Sequence, residues 1–435
     1  MVLINLSYVP YLKKLEKSQF YTREELKKIQ NKKLKILLKH SYENIPYFNK
    51  LFKRNNLAYS DISSFEDLEN IPIQKRTTVK NNLNELVSKS SKKGKMMNDF
   101  TSGSTTGERL KIFRDQDCIN QSIAAEIRAY SWYDIDYLNE KFYYLIGADY
   151  DIDWEKKLGK KINFLVSQTI KLSPIQLREK AFEIFLSKIE KHKRRVLYGT
   201  PAGICRMIKI LDEGNKKLDI DIVLSTDSLL FKQQRNFIKD SFNCEIYEIY
   251  GTSEVWSVAF ECPEHNGYHM TSENVIIEVV DDDGQRVNPG EKGHILLTDL
   301  TNFVMPFIRY DIGDIGIISD EMCSCGRNLH LIKHVHNQLV YRDSQYILSD
   351  ENKKIYLPDF SFIIDDFNKV SNFQIIQKQS KDIELIIVNE KDYNSDYEKY
   401  LRSKLIKMLG NVSMSIFCVD DIKPDHNGKH NYLVK

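Results

Sequence analysis

The segment Thr101 to Gly107, reading T-S-G-S-T-T-G, concentrates residue types that can grip an anion. Gly103 and Gly107 can take positive φ and let backbone N–H groups approach a ligand, while Ser102, Ser104, Thr105 and Thr106 add hydroxyl donors. A polyphosphate is the ligand such a loop suits. The Lys-Ser or Lys-Thr pair of the G-x-x-x-x-G-K-[ST] phosphate loop does not follow, so this is not that motif. Taken alone, the composition fits a polar surface turn as well as a cradle, because Ser, Thr and Gly also gather in loops for turn-forming reasons.

Three further stretches offer what a phosphate site needs. "IYGTSEVW", Ile249 to Trp256, sets the Glu254 carboxylate directly after Thr252 and Ser253, which suits a divalent metal between phosphate oxygens. "RYDIGDIG", Arg309 to Gly316, presents Asp314 in a glycine-flanked turn as an acceptor for ribose hydroxyls. "KPDHNGKHNYLVK", at the end of the sequence, puts Lys429 directly after Gly428 on a polar segment.

A fourth cluster is made of sulfur and imidazole. "ECPEHNGYH" holds Cys262, His265 and His269, and "CSCGR" holds Cys323 and Cys325. Such a set suits a closed, structural, tetrahedral zinc. The expected ligands are Cys262, His265, Cys323 and Cys325, with His269 competing for the fourth place; free, reduced thiols in a loop are the alternative.

The elements that must position these residues follow from length and patterning. A chain of 435 residues, 42% of them hydrophobic, can bury a large core and divide into two or more domains. Sixty-three Lys+Arg against sixty-one Asp+Glu leave a formal charge of +2, which gives no reason to expect a nucleic-acid or membrane-surface partner. No signal-like N-terminus and no long apolar window occur, so the expectation is a soluble, cytoplasmic chain without membrane insertion. Seven cysteines fit reduced thiols better than a disulfide framework. The oligomeric state stays open.

Helix-spaced apolar positions fill roughly the first 95 residues, as from Leu26 to Phe52. From Phe142 the apolar runs "FYYLIGA", "RVLYG" and "DIVLS" alternate with amphipathic segments, the rhythm of a sheet with helices on its faces. After Glu273 the texture becomes strand and turn, and "ENVIIEVVDDDGQRV" predicts two strands about an Asp-Gly turn, with "GEKGHILLTDL" following. Near the end, "FQIIQKQSKDIELIIVNE" predicts a hairpin, "DYEKYLRSKLIKMLG" a helix stopping at Gly410, and "VSMSIFCVDDI" a final strand. The expected class is α/β. Patterning gives an α/β body, a strand-rich subdomain from about residue 273, and enough alternation in the last stretch of the chain for a small α+β domain.

In this order and spacing the motifs resemble the AMP-forming, or adenylate-forming, ligase superfamily, and within it the branch of phenylacetate–CoA ligase and the capsular-polysaccharide CapK-like proteins. "LKHSYENIPYFNKLF", "IPIQKRTTVKNN", "YGTPAGI" (Tyr198 to Ile204) and "CSCGR" (Cys323 to Arg327) extend the resemblance along nearly the whole chain. It implies a large N-terminal domain of layered sheets and helices spanning 1–335, with the strand-rich subdomain at about 273–335, and a small mobile α+β C-terminal domain spanning 336–435, hinged near residues 333 to 341. The implied chemistry is attack of a substrate carboxylate on the α-phosphate of ATP, giving acyl-AMP and pyrophosphate, after which a nucleophile displaces AMP. Positive charge and N–H donors must then stand where charge develops.

The same resemblance implies roles. Thr101 to Gly107 would hold the β- and γ-phosphates, Ser253 would touch the α-phosphate, and Glu254 would ligate Mg²⁺. Tyr250, with Gly251 and Thr252, would lie by the adenine, Asp314 would bind the ribose with Arg309 nearby, and Lys429 would reach the α-phosphate and the incoming carboxylate. The acyl acceptor would be CoA or, as in a CapK-like polysaccharide-biosynthesis ligase, an amine or sugar; a non-catalytic nucleotide-binding member is the remaining alternative. Tyr130, Trp132, Tyr133 and Trp256 are candidates to line an acyl pocket. The chain departs from the family pattern twice. Its loop has one additional residue between the glycines and carries Glu108-Arg109 where Lys-Pro is common, and His336 and Gln338 stand roughly where the family hinge has Gly-Arg and Asp.

Overall fold

The N-terminal helices follow from their caps and apolar spacing. Helix α1 (Val9–Ser18) carries Pro10 in its first turn. Helix α2 (Arg23–Asn44) opens on a capping box: the Glu25 N–H donates to Thr22 Oγ1, and the Thr22 N–H donates back to the Glu25 carboxylate. One face of α2 buries Leu26, Leu34, Leu37 and Leu38 at helical spacing. It stops at Ile45, whose extended backbone leads into Pro46 and helix α3 (Pro46–Arg54).

The computed structural model describes residues 6–91, 96–101, 109–147, 169–333, 341–379, 382–425 and 428–435. The fold is mixed α/β, a large sheet-and-helix domain with a smaller C-terminal α+β domain. The chain sorts into two compact units, one of residues 1–137 with 248–335 and one of 138–247 with 336–435.

In the first unit, helix α4 (Arg76–Asn81) precedes the antiparallel pair β1 (Met97–Phe100) and β2 (Lys111–Arg114), in which Phe100 faces Lys111. Helix α5 (Gln116–Ser131) starts at Asp115, whose carboxylate accepts the Cys118 N–H at 2.9 Å. In the second unit, β3 (Lys141–Leu145), β4 (Thr169–Leu172), β5 (Arg195–Gly199) and β6 (Ile222–Ser225) form a parallel sheet in the order β6-β5-β3-β4. These strands read as continuous apolar runs because a parallel sheet is covered on both faces. The helices Lys180–Ile189, Pro201–Glu213 and Lys232–Phe242 contribute the covering residues, among them Phe185, Met207 and Ile238.

Strand β7 (Glu245–Tyr250) carries the chain back into the first unit. There, β8 (Ala259–Glu261), β9 (Tyr268–Met270), β10 (Val275–Val280), β11 (Lys292–Asp299), β12 (Tyr310–Ser319) and β13 (Leu331–Lys333) build antiparallel pairs in the order β10-β11-β12-β13-β9-β8-β7. The Asp-Gly turn expected after β10 forms, with Gly284 at φ +80°, but it returns through a single bridge between Val280 and Arg286. The full partner of β10 is instead β11, whose apolar run covers its whole length.

The C-terminal strands are β14 (Tyr341–Arg342), β15 (Tyr346–Leu348), β16 (Lys354–Tyr356), β17 (Val370–Gln379), β18 (Asp382–Asn389), β19 (Ser413–Val419) and β20 (Leu433–Val434). The expected hairpin is β17 with β18, and the expected helix runs Ser395–Leu409 before Gly410 at φ +81°. Strand β19 is not the last, as the sequence suggested. Leu433 and Val434 pair in parallel with β17, a two-residue strand too short for patterning to reveal. Among the described residues no helix is long and apolar enough to cross a membrane.

Candidate active site

Two strands of the first unit bring Tyr250 and Asp314 together. The Tyr250 hydroxyl donates to Asp314 Oδ2 at 2.7 Å, and its ring stacks on Tyr268 with centroids 6.0 Å apart. The Tyr268 hydroxyl in turn donates to Glu248 Oε1 at 2.8 Å. Asp314 is buried, so its carboxylate is held in one orientation by the Tyr250 donor.

Glu254 is buried as well. Its Oε1 accepts from Arg76 Nη1 and from the Tyr310 hydroxyl, each at 3.0 Å. Arg76, the first residue of α4, reaches Thr101 Oγ1 with its Nη2 at 2.8 Å, so one guanidinium spans from Glu254 to Thr101. Thr101 is itself paired with Leu110, its N–H donating to the Leu110 carbonyl and its Oγ1 accepting the Leu110 N–H. Burial first, and then the charge of Glu254, push the Tyr310 phenol well above its ordinary range, which keeps it a donor. Arg114, at the end of β2, donates to the carbonyls of Ser253 and Glu254 and lies with its guanidinium 4.3 Å from the Trp256 ring centroid. Thr252 braces the same turn, its Oγ1 accepting the Val255 N–H at 2.9 Å.

The expected residues divide accordingly. Thr101, Tyr250, Gly251, Thr252, Ser253, Glu254 and Asp314 all belong to the first unit, Gly251 exposed at the end of β7 and Ser253 half-buried. Ser102, Gly103, Ser104, Thr105, Thr106 and Gly107 lie outside the described residues, as do His336 and Gln338. Arg309 departs from expectation. Four of its five N–H donors are taken, by Glu278 Oε2 and by the carbonyls of Glu69, Ile71 and Gly284, and the residue is buried at φ +47°. That makes it a brace between segments and leaves little of it for a nucleotide. Tyr130, Trp132 and Tyr133 are buried; Trp132 packs edge-on against Phe260 and His269, as core residues do. Lys429 belongs to the second unit, its Nζ 3.9 Å from Asp227 Oδ2.

The sulfur cluster assembles with one exchange. The ligand atoms of Cys262, His269, Cys323 and Cys325 all lie within 4.8 Å of one another. The Cys262 and Cys323 sulfurs are 3.6 Å apart, and His269 Nε2 is 3.2 Å from Cys325 Sγ. Ligands about 2.3 Å from a tetrahedral zinc stand about 3.8 Å from one another, so the spacing fits that ion, while a disulfide would need about 2 Å. His265 is not part of the set. It sits at φ +51° in the turn between β8 and β9 and its Nδ1 is 3.0 Å from Glu261 Oε1. A hydrogen bond from Cys262, and a further one from His269, hold the Cys325 thiol far below its usual range, while Cys262 itself is pushed up.

A family model described as AMP-binding enzyme matches residues 63–305, more than half of the chain. The chain belongs to the AMP-binding enzyme family. A second model, the CapK C-terminal domain, matches residues 347–435. The phenylacetate-coenzyme A ligase of Thermus thermophilus is 22% identical over 70% of this chain and 68% of its own length, and that of Aromatoleum evansii 25% identical over 69% and 68%. Protein CapK of Staphylococcus aureus is 21% identical over 94% of this chain and 89% of its own length. These matches put this AMP-binding enzyme in the phenylacetate–CoA ligase and CapK-like branch of the adenylate-forming superfamily. In fold it is similar to a 2-hydroxyisobutyryl-CoA ligase crystallised with an acyl-AMP, at TM-score 0.78 and 14% identity over 95% of this chain and 90% of that one.

Arg76, Arg114 and Tyr310 are the residues at this site that sequence reading did not assign. Arg76 stands inside "IPIQKRTTVKNN", one cation among three, and Tyr310 inside "RYDIGDIG", where Asp314 drew attention. Only the folded register brings either to Glu254.

Proposed function

We propose that this protein activates a carboxylic acid with ATP, forming acyl-AMP and releasing pyrophosphate, and then transfers the acyl group to CoA. The observation that carries the reading is the convergence of Tyr250 with Asp314, and of Arg76 and Tyr310 with Glu254, beside Thr101 in a chain of the AMP-binding enzyme family. Asp314 accepts the ribose hydroxyls, with Tyr250 orienting its carboxylate and flanking the adenine together with Gly251 and Thr252. Thr101 and the loop to Gly107 take the β- and γ-phosphates. Arg76, already between Thr101 and Glu254, adds positive charge on the phosphate side. Ser253 faces the α-phosphate, and Lys429 supplies an ammonium for the charge that builds there. The C-terminal domain, 336–435, which shares a compact unit with 138–247 in this structure, would be the part that moves during the reaction cycle.

Glu254 Oε1 accepts from Arg76 and Tyr310, and its carboxylate would offer a hard oxygen to Mg²⁺, which would neutralise phosphate charge. Cys262, His269, Cys323 and Cys325 would hold a structural zinc that ties β8, β9 and the 323–325 turn together.

The second reading is transfer to an amine or a sugar in surface-polysaccharide assembly. The CapK C-terminal match, and the CapK relative's coverage of 94% of the chain, favour it. One experiment addresses both. The protein is incubated with ATP, Mg²⁺ and a panel of aryl, fatty and amino acids, and acid-dependent pyrophosphate release is measured; CoA, amines and aminosugars are then offered to the acyl-AMP formed. Thioester product supports the first reading and amide or ester product the second. Nucleotide binding without pyrophosphate release from any acid would overturn both and leave a non-catalytic member.

A further inference from the structure

The turn that carries Lys429 is fixed at several points, and one of them is a side chain from a distant helix. Asp425 Oδ1 accepts the Lys429 N–H at 2.9 Å, and the Asp425 N–H donates to the Lys429 carbonyl at 2.7 Å. His430 Nε2 donates to the Phe373 carbonyl at 2.9 Å. Gly428, at φ +75°, lies so close to the end of β3 that a Cβ there would sit 2.0 Å from the Gly147 carbonyl oxygen and 3.3 Å from Pro174 Cδ. The Ser173 hydroxyl donates to the same Gly147 carbonyl at 2.9 Å.

Arg206, on the helix Pro201–Glu213, closes this arrangement into a ring. Its Nε lies 3.1 Å from both oxygens of Asp421 and its Nη2 2.8 Å from Oδ2, while its Nη1 donates to the Pro174 carbonyl. The fork therefore joins the 173–174 segment, against which Gly428 packs, to Asp421, four residues before Asp425. One helical turn away, Lys209 meets Glu390, which also accepts the Ser371 hydroxyl at 2.6 Å. Arg206 and Asp421 are mostly buried, with side chains 14% and 23% exposed, so solvent screens their pairing less than it would a surface pair. A lysine at 206 would keep the charge but could not bridge two acceptors with a planar fork.

We propose that Arg206 is a positioning residue for Lys429. By tying Asp421 to the Pro174 carbonyl it sets the turn from which the Lys429 ammonium is presented for adenylate formation. The proposal rests on the catalytic reading of Lys429 given above.

The test uses the full-length protein and two readouts: the rate at which an amine-reactive ester modifies Lys429, followed by peptide mass spectrometry against the other lysines, and acid-dependent pyrophosphate release. Arg206→Gln should raise Lys429 modification several-fold without a general rise. It should lower kcat for adenylation about tenfold while the KM for ATP stays within about twofold, the pattern for an interaction realised in the transition state. Arg206→Lys should fall between. The charge-exchanged pair Arg206→Asp with Asp421→Arg should recover part of both effects, which guards against a single variant that merely folds poorly. Unchanged Lys429 modification in Arg206→Gln would overturn the proposal, as would a uniform rise across all lysines or an exchanged pair no better than either single variant. If Lys429 modification rises and is rescued, yet Lys429→Ala itself adenylates normally, the positioning stands and the catalytic reading of Lys429 fails.

Discussion

Asp314 combines burial with an oriented donor, the Tyr250 hydroxyl, and in the proposed reading it accepts the ribose hydroxyls. Because ATP and AMP share the ribose, Asp314→Ala should weaken both equally. A hydrogen bond to a charged group contributes about 1.5–3 kcal/mol, or roughly ten- to a hundredfold in affinity. Calorimetry with AMP that gave the parent affinity would show the ribose assignment to be wrong. Glu254→Gln should separate the nucleotides: Mg²⁺-dependent ATP binding weakens, while AMP, which lacks the β- and γ-phosphates, binds as before. Equal loss for both would assign Glu254 to the fold through Arg76 and Tyr310 instead. Asp314 and Glu254 stood out as candidates in sequence because each is a carboxylate in a short glycine- or hydroxyl-rich stretch. Arg76 and Arg114 were not, since a lone arginine at the end of a helix or strand looks like any solvated cation until tertiary packing supplies its acceptors. Arg309 erred in the opposite direction, standing beside a motif while its side chain braces Glu278.

Strand β9 is three residues long and contributes to two side-chain clusters. Side chains alternate faces along a strand, so Tyr268 turns toward Tyr250 and Glu248 while its neighbour His269 turns toward Cys325 and Trp132. The same alternation makes His269, not His265, the fourth member of the proposed zinc set. Cys262 and His265 have an attractive spacing, but "PEHNG" is the tip of the β8–β9 turn, and a left-handed residue there directs His265 to Glu261. The Asn-Gly pair was the available signal. Cys323→Ser and His269→Ala should each lower zinc content and melting temperature, because removing one ligand of a closed site removes folding free energy, whereas His265→Ala should keep its zinc. Elemental analysis of the three variants decides the matter. Protein that is fully folded without zinc, or a His265→Ala variant that loses it, would contradict the assignment. Extraction of zinc by a chelator should also weaken AMP binding, since β9 carries Tyr268 under Tyr250.

The residues read as nucleotide ligands and the lysine read as catalytic fall in different compact units of the chain. The alternation of strand and helix was legible from residue 142 onward. The grouping of 138–247 with 336–435 was not, because it depends on contacts between segments far apart in sequence, such as Phe231 with Tyr432 and Arg206 with Asp421. This separation lets the role of Lys429 be isolated by half-reaction. If its ammonium acts mainly as the α-phosphate becomes five-coordinate, Lys429→Ala should leave ATP affinity nearly intact. Adenylate formation should fall on the order of 10²- to 10³-fold, the scale for loss of one positioned electrostatic donor. Acyl transfer started from synthetic acyl-AMP should be much less affected, because no pyrophosphate leaves in that step. Equal loss in both half-reactions would instead make Lys429 a structural partner of Asp227 and Asp425. An unchanged adenylation rate would remove the C-terminal turn from the chemistry altogether, and the first half-reaction would then rest on the groups around Glu254 alone.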